Sequence, residues 1–466
     1  MYTLKLELMN KLIYIVVLFL FIVVSISAQN KQILFGFEEI PQNLMNNPSA
    51  TIDQKAHFSV PMLSGIYINA GLTGFNMSNL VINDGLDVNE KLSKLLNNTS
   101  RKDYYTVNQQ LEVFNIGFRL NNVKKDYLSF GFYEEFDGIL YHPKDLVTLA
   151  YEGNQDLSKT FNLNDVSFKA ELLGVLHVGI NRKINKKITL GLRVKMYSSV
   201  FNATSRINSG VFSTNLGDNN IYQHRLSNMN MEMKTSGIVN ANGELVADEK
   251  VYKQFLLSGN MGLGLDFGID YKVNKKVKIK ASLSDLGFIR HVKNTAVYKV
   301  KGNYIFDGLN LLFPEGDVVE YWSNLEDDID EKIKTEVLSS KYTSLRSLKF
   351  NSSIGYKFGK SKSNNCLRSE VDNPLSNEVG IQLFSIFRPR QPQFATSLYY
   401  YRRFSKHLQA KVTYTVSDFS ATNVGAGFST QMGAFNLYIM ADNLIGFTDL
   451  SKSNQQSFQL GMNLIL

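Results

Sequence analysis

The polar residues that could do chemistry in this sequence recur in one kind of place. They sit at every second position of long segments whose other positions are apolar. Arg119, His177, Arg193, Lys195, Asp266, Asp270, Lys278, Lys280 and Lys411 all occupy such positions. If their common face lines a lumen, its excess of cations would favour anionic groups, carboxylates included. Charges inside a small barrel also commonly pair with each other or with a plug, and the sequence leaves both uses open. Catalytic constellations are not found. No two of the six histidines (His57, His142, His177, His224, His291 and His407) stand at metal-ligand spacing. There is no Gly-x-Ser-x-Gly elbow, and no Ser–His arrangement of the kind an outer-membrane phospholipase needs is marked. Gly262 and Gly264 belong to strand alternation rather than to a phosphate-binding loop. The expectation is a protein that is not an enzyme and uses no cofactor or metal.

The elements that must carry these residues are strands, because strict period-two alternation gives a strand one apolar face. Met261, Leu263, Leu265, Phe267, Ile269 and Tyr271 alternate with Gly262, Gly264, Asp266, Gly268 and Asp270. Ile188–Met196, Phe114–Leu120 and Phe458–Leu466 repeat the pattern. Fourteen such segments are predicted, near 64–76, 111–122, 125–137, 169–184, 187–205, 254–273, 276–292, 347–359, 377–388, 393–404, 407–420, 421–432, 434–446 and 455–466. Segments of ten or more residues suit a tilted membrane strand. The expected fold is therefore an all-β transmembrane antiparallel barrel of about 14 strands (12–16), since single-chain bacterial barrels use an even number.

Connections after even-numbered segments are short: Asn121–Lys124, Asn185-Lys186, Asn274-Lys275, Ser405-Lys406 and Met432-Gly433. Those after odd-numbered segments, at 77–110, 138–168, 206–253 and 293–346, are long. The asymmetry places the short turns in the periplasm and the long loops outside. The stretch 360–376, which holds Cys366, breaks the rule. Helices are expected over Asp87–Leu96 and over the acidic Val318–Leu338, which carries the lone Trp322. The stretches Val178–Lys187 and Phe267–Lys276 resemble each other and mark a repeated hairpin, not a solenoid period.

At the N-terminus, Lys5 and Lys11 precede an apolar run, Leu12–Val24, followed by Ser25-Ile26-Ser27-Ala28. This describes a secretory signal peptide cleaved near Ala28, with Met9 an alternative start. The run is shorter than the roughly 20 residues a spanning helix needs. Loss of Lys5, Glu7 and Lys11 takes the formal charge from +8 to +7 (two cations and one anion removed). In an exported chain this basic balance points to anionic lipid rather than nucleic acid. A single cysteine rules out a disulfide framework. The expected organisation is 1–28 signal peptide, 29–54 N-terminal segment and 55–466 barrel.

Asn46-Asn47-Pro48-Ser49-Ala50, with Val60-Pro61 and Asn69, resembles the opening of a Bacteroidota outer-membrane family of unassigned function, the DUF5723 group. Ser284-Asp285-Leu286-Gly287-Phe288-Ile289 and Ala441-Asp442-Asn443-Leu444-Ile445-Gly446-Phe447 match it further on, so the resemblance spans about 35–466. The family opening usually reads Asn-Pro-Ala, and such barrels commonly end in an aromatic residue, whereas Ser49 intervenes here and the chain ends in Leu466. The group is similar to the FadL-like long-chain fatty-acid transporters and neighbours the PorV and PorP proteins of gliding and type IX secretion. The resemblance implies that 29–54 folds into the lumen as a plug through Asn46, Asn47 and Pro48; an ordered periplasmic tail is the alternative. It also implies a channel for small hydrophobic or amphiphilic molecules in the outer-membrane lipid. The competing expectations are a non-transporting partner of a secretion or gliding system, and a soluble secreted β protein.

Overall fold

The computed structural model describes residues 31–52, 54–75, 85–120, 126–217, 221–237, 251–306, 335–360, 375–405, 407–447 and 453–466. The signal segment, the turn at 121–124, Trp322 and Cys366 lie outside them. Fourteen strands close into one antiparallel barrel. In order they are β1 (Ala56–Ser59 and Ile66–Leu72), β2 (Tyr104–Arg119), β3 (Asp126–Tyr141), β4 (Phe168–Lys183), β5 (Ile188–Ser205), β6 (Met261–Lys272) and β7 (Val277–His291). The second half comprises β8 (Tyr342–Leu345 and Lys349–Lys360), β9 (Leu375–Phe387), β10 (Pro392–Arg403), β11 (Leu408–Ser417), β12 (Asn423–Met432), β13 (Phe435–Asp442) and β14 (Gln455–Ile465). Each pairs with the next, and β14 returns to both pieces of β1. Closure leaves the barrel itself no sheet edge, which is what a strand protein in lipid requires.

The barrel is apolar outside and polar inside. On β6, Leu263 is 55% exposed while Asp266, on the opposite face, is wholly buried. Ile354, Ile381, Leu398, Val412 and Ile439 continue the exposed apolar band around the wall. Buried Ser, Thr, Asn and Gln fill the opposite face of the same strands. A soluble protein would bury the first set and expose the second, so lipid is the solvent this surface fits.

The repeated hairpin has a local cause. Asn185 Oδ1 accepts from the Lys187 and Ile188 amides at 2.7 and 2.8 Å. Asn274 Oδ1 does the same for Lys276 and Val277. Ser405 Oγ closes the β10–β11 turn in the same manner, accepting from His407 and Leu408 at 3.1 Å. Side chains that cap their own turn in this way fix short connections.

Several expectations about element bounds are corrected. The segment 254–260 is not strand: a helix, Val251–Leu257, precedes β6, which opens at Met261. β2 starts at Tyr104, not 111, and β3 runs on to Tyr141. β1 is broken over 60–65, and β13 ends at Asp442 before a 3-10 turn, Leu444–Phe447. The connections at 206–253 and 293–346 contain strands: Ser209–Leu216, Tyr222–Ser236, Thr295–Phe306 and Thr335–Leu338. These pair into a sheet outside the lipid band, joined to the top of β5 through Tyr222–Ser236. Thr335–Leu338, expected to end a helix, is one of them. Strands shorter than a membrane crossing, or continuing above one, do not differ in alternation from the crossing strands, so period alone did not separate them. The helix expected at Asp87–Leu96 is Val88–Asn98, with the Asp87 carboxylate capping the Asn89 amide. Leu95 and Leu96 are buried, but Val88 is exposed.

Candidate functional site: a plugged lumen with an ion-paired mouth

Residues 31–52 lie inside the half of the barrel that carries the short turns. Ile33, Leu34, Phe37 and Ile40 pack on Tyr438 and Met440 of β13, with Tyr401 against them. Leu44, Ala50 and Ile52 pack on Tyr127, while Met45 enters a cluster with Tyr133, Leu173, Val175, Tyr197 and Ile289. The apolar core that the polar wall does not supply is brought by this segment, at about 1.5–3 kcal/mol for each large side chain removed from water.

The Asn-Asn-Pro-Ser-Ala stretch forms a knuckle against the wall. Asn47 Nδ2 donates to Asp270 Oδ1 at 2.8 Å, and Ser49 Oγ to the same oxygen at 3.1 Å. Asn181 Nδ2 donates to the Pro48 and Ala50 carbonyls at 3.0 and 2.9 Å. Ser282 Oγ donates to the Asn46 carbonyl at 2.6 Å, and Asn46 Nδ2 to the Lys31 carbonyl at 3.2 Å. Beneath the knuckle, Gly191 and Gly268 face each other on β5 and β6. A Cβ at Gly191 would stand 2.0 Å from the Pro48 carbonyl carbon, and one at Gly268 2.3 Å from Asn47 Oδ1. Both positions are glycine because backbone lies where a side chain would go.

Charged contacts hold the rest of the segment. Glu38 pairs with Lys278 at 2.8 Å and lies 3.5 Å from Lys280, and Asp270 also pairs with Lys278 at 2.8 Å. Lys411 donates to the Phe35 carbonyl at 2.6 Å and lies over the Tyr399 ring. Arg119 Nη2 donates to the Ile52 carbonyl at 2.5 Å, and its guanidinium lies over the Tyr127 ring. His177 is buried beside the Tyr133 ring, and neither of its ring nitrogens has a hydrogen-bond partner among the described residues.

Lys195 belongs to a second network in the half toward the long connections, bonded to Asp266 at 2.9 Å and Asp285 at 2.7 Å, with Arg193 3.8 Å from Asp266. Asp285 is one residue of the Ser-Asp-Leu-Gly motif. The β6–β7 register shifts there, and Asp285 adopts a left-handed φ of 62°. Its carboxylate also meets Lys349 at 2.9 Å. Lys349 reaches Glu135 at 3.1 Å. Arg346, in the link between the two pieces of β8, bonds Glu135 at 2.9 Å and also Glu171. Arg388, just past β9, bonds Asp137 at 2.6 Å. Glu135 and Asp137 are on the third strand of the barrel, whereas their partners are on or beside the eighth and ninth. These pairs therefore cross the lumen as a bar.

Of the two uses the sequence leaves open for these inward charges, the structure shows pairing: buried carboxylates and the segment 31–52 answer most of the cations. Glu135 and Asp137 were legible from the alternation of 125–137 but were not singled out. Arg346 and Arg388 sit in a link and beyond a strand end, where alternation gives no signal.

Two spaces flank the bar. An inner chamber of about 80 Å³ lies between it and the segment 31–52, bounded by Lys31, Asn46 and Phe419 among others. A mouth of about 830 Å³, lined by Thr204, Lys234 and Ser344, opens beyond it. Asp285 and Arg388 line both.

An inside-out closed sheet around a polar, internally filled lumen defines a transmembrane β-barrel of the outer-membrane type. Residues 48–442 match the model of a family of unknown function, DUF5723, and the chain belongs to that family. No curated protein matches the sequence. Among solved structures, it is similar to a Pseudomonas aeruginosa FadL homologue, with 9% identity over 95% of this chain and 99% of that one and a TM-score of 0.44. The Ralstonia pickettii toluene transporter TbuX is another, with 10% identity over 95% of each chain and a TM-score of 0.41.

Proposed function

We propose that the protein is an outer-membrane uptake barrel for small amphiphilic molecules, exported by its N-terminal signal segment and performing no chemistry on its cargo. The observation that carries this reading is the chamber held between two closures. Its wall combines the apolar cluster Phe384, Ile386 and Ala395 with amides and hydroxyls. Small-molecule sites combine apolar lining with a few placed polar groups in this way. The bar and the segment 31–52 keep the lumen shut at rest, and passage requires both to move. Flux of hexyl-chain amphiphiles into vesicles holding the purified barrel tests this. Slow flux in the parent and faster flux in Arg346→Met are expected; absence of flux from both rejects uptake.

A second reading has one observation in its favour. The added sheet exposes Leu216, Ile221 and Ile305, apolar residues outside the fourteen strands of the wall. We propose it as the alternative: a partner of a surface, secretion or gliding assembly. Stoichiometric recovery of one partner from solubilised membranes, lost on replacing these three residues by Ser, supports it. Recovery of the barrel alone counts against it.

A further inference from the structure

A groove of about 620 Å³ crosses the lipid face of the wall from β4 to β8. The strand register explains its course. Ile180 lies beside Leu192, Leu192 beside Phe267, Phe267 beside Leu283 and Leu283 beside Phe350, so these side chains form one row across five strands. Two residues nearer the short turns, Arg182, Leu190, Ile269 and Ala281 form a second row by the same pairings. Rows set two residues apart stand roughly 7 Å from each other along the strands. The floor between them includes the backbone at Gly191 and Gly268. The second row loses its bulk at Ala281, which stands between the larger outward residues Ile279 and Leu283.

The groove ends on a strongly basic rim. Arg182 is the one charged residue in its described lining, and Ile184, immediately before a short turn, is the last apolar one. The adjoining turns read Lys183-Ile184-Asn185-Lys186-Lys187 and Lys272-Val273-Asn274-Lys275-Lys276, with no acidic residue in either. Backbone bonds set them side by side. The Lys272 amide donates to the Lys187 carbonyl at 2.8 Å, and the Lys357 amide on β8 to the Lys276 carbonyl at 2.7 Å. All six turn lysines are exposed. Among the described residues, Lys183, Lys186 and Lys187 have no carboxylate within bridging distance. Lys276 lies over the Tyr356 ring. Asp126 is held by Arg182 itself through two contacts, at 2.7 and 2.6 Å, and so does not answer the lysines. Basic clusters beside a membrane-spanning element attract anionic headgroups, whose phosphate oxygens accept charge-assisted hydrogen bonds.

We infer that this stretch of wall binds an anionic diacyl phospholipid, its phosphate among the lysines of the two turns and an acyl chain in the groove between the two rows. The groove alone would take the chain of any lipid, and the lysines alone any anion. A molecule that joins an apolar chain to an anionic head fills both, because the groove runs out where the lysines begin. A zwitterionic head brings an ammonium of its own, which the six lysines repel. A free phosphate gains nothing from the groove. The site faces away from the lumen and is independent of the uptake reading.

The test places the full chain in vesicles of phosphatidylethanolamine and phosphatidylglycerol, with each lipid in turn carrying a photoactivatable diazirine in its acyl chain. Cross-linked peptides are then read by mass spectrometry. Labelling of the peptides holding Ile269 and Leu283 should be about fivefold stronger with the phosphatidylglycerol probe, the equivalent of one well-placed lysine. No such excess is expected at Val412 and Ile439 on the far wall, and concentrated salt should shrink the excess in the groove. Joint replacement Lys186→Gln, Lys187→Gln, Lys275→Gln and Lys276→Gln should bring the two probes level. Ala281→Phe, which fills the groove, should lower labelling of the Ile269 peptide by both. Comparison of the two probes on the parent protein stands even if a variant fails to fold. Equal labelling of the groove by both probes overturns the inference, as does a phosphatidylglycerol excess equally large at Val412. An excess that survives in the folded lysine variant overturns it too. None of these results bears on flux through the lumen.

Discussion

At the scale of single residues, the knuckle at Asn47-Pro48-Ser49 shows how little space separates the segment from the wall. Gly191 and Gly268 are wall positions whose missing side chains admit another backbone. Gly268→Val should cost about 1–3 kcal/mol, the usual range for overpacking, and should dislodge the knuckle from Asp270. Planar-bilayer recordings are expected to show more frequent openings than the parent; identical recordings would mean that the knuckle does not close the lumen. His142, just beyond β3, offers a pH-dependent counterpart. Burial pushes its imidazole below the ordinary value of 6.5, with Asp103 only partly opposing. A folded state that holds the proton less tightly than the unfolded one loses stability as the pH falls through 6.5, and the loss is complete below the folded pKa. Its amide donates to the Asp103 carbonyl at 2.7 Å and its Nδ1 contacts Tyr105 Oη at 2.8 Å. Hydrogen-exchange protection around 103–105 and 142 should therefore drop between pH 7.5 and pH 5, and His142→Gln should flatten that dependence.

At the scale of elements, the bar turns strand neighbours that are distant around the barrel into direct partners. Arg346 has almost no exposed surface, and its carboxylate partners Glu135, Glu171 and Asp285 are buried as well. Removing one member of a buried ionic cluster strands the others, at about 3–5 kcal/mol. Arg346→Met is expected to lower the unfolding midpoint in urea-containing micelles by a corresponding amount. Adding Glu135→Gln should recover much of it, because Glu171 keeps Lys169 and Lys349 keeps Asp285 as partners. Failure of this double variant to regain stability would show that Arg346 acts through packing on Tyr197, over whose ring it lies. Turns teach the complementary lesson. Asn185, Asn274 and Ser405 cap their own connections with contacts two or three residues away. Such turns are legible from sequence because nothing distant is needed to form them.

At the scale of the whole molecule, a closed sheet with short turns at one rim and a folded sheet at the other has a defined direction in the membrane. An epitope inserted at 221, in the external hairpin, should be labelled by antibody on intact cells. One inserted at 185–186 should be reached only after the outer membrane is opened. Labelling in the reverse pattern would overturn the orientation, and labelling of both on intact cells would reject membrane insertion.

Fold class, strand number, turn chemistry and the inward position of Arg193, Lys195, Asp266, Asp270, Lys278, Lys280 and Lys411 were legible in the sequence. Each depends on a two-residue period or on contacts within a few residues, which a single strand displays without its neighbours. The start of β6 was misplaced because the helix ahead of it carries apolar residues that extend the pattern. A plug over 29–54 was implied by the family resemblance, but its contacts, and the bar altogether, were beyond reach. Whether a buried cation is free or answered depends on which strands face one another across the lumen, and Glu135 finds Arg346 across 211 positions of sequence. The same holds for the knuckle, since Pro48 and Asn181 meet only when the barrel has closed around the N-terminal segment. Local periodicity determined the wall of this protein; only tertiary closure decided what its inward charges do, because their partners lie across the lumen rather than along the chain.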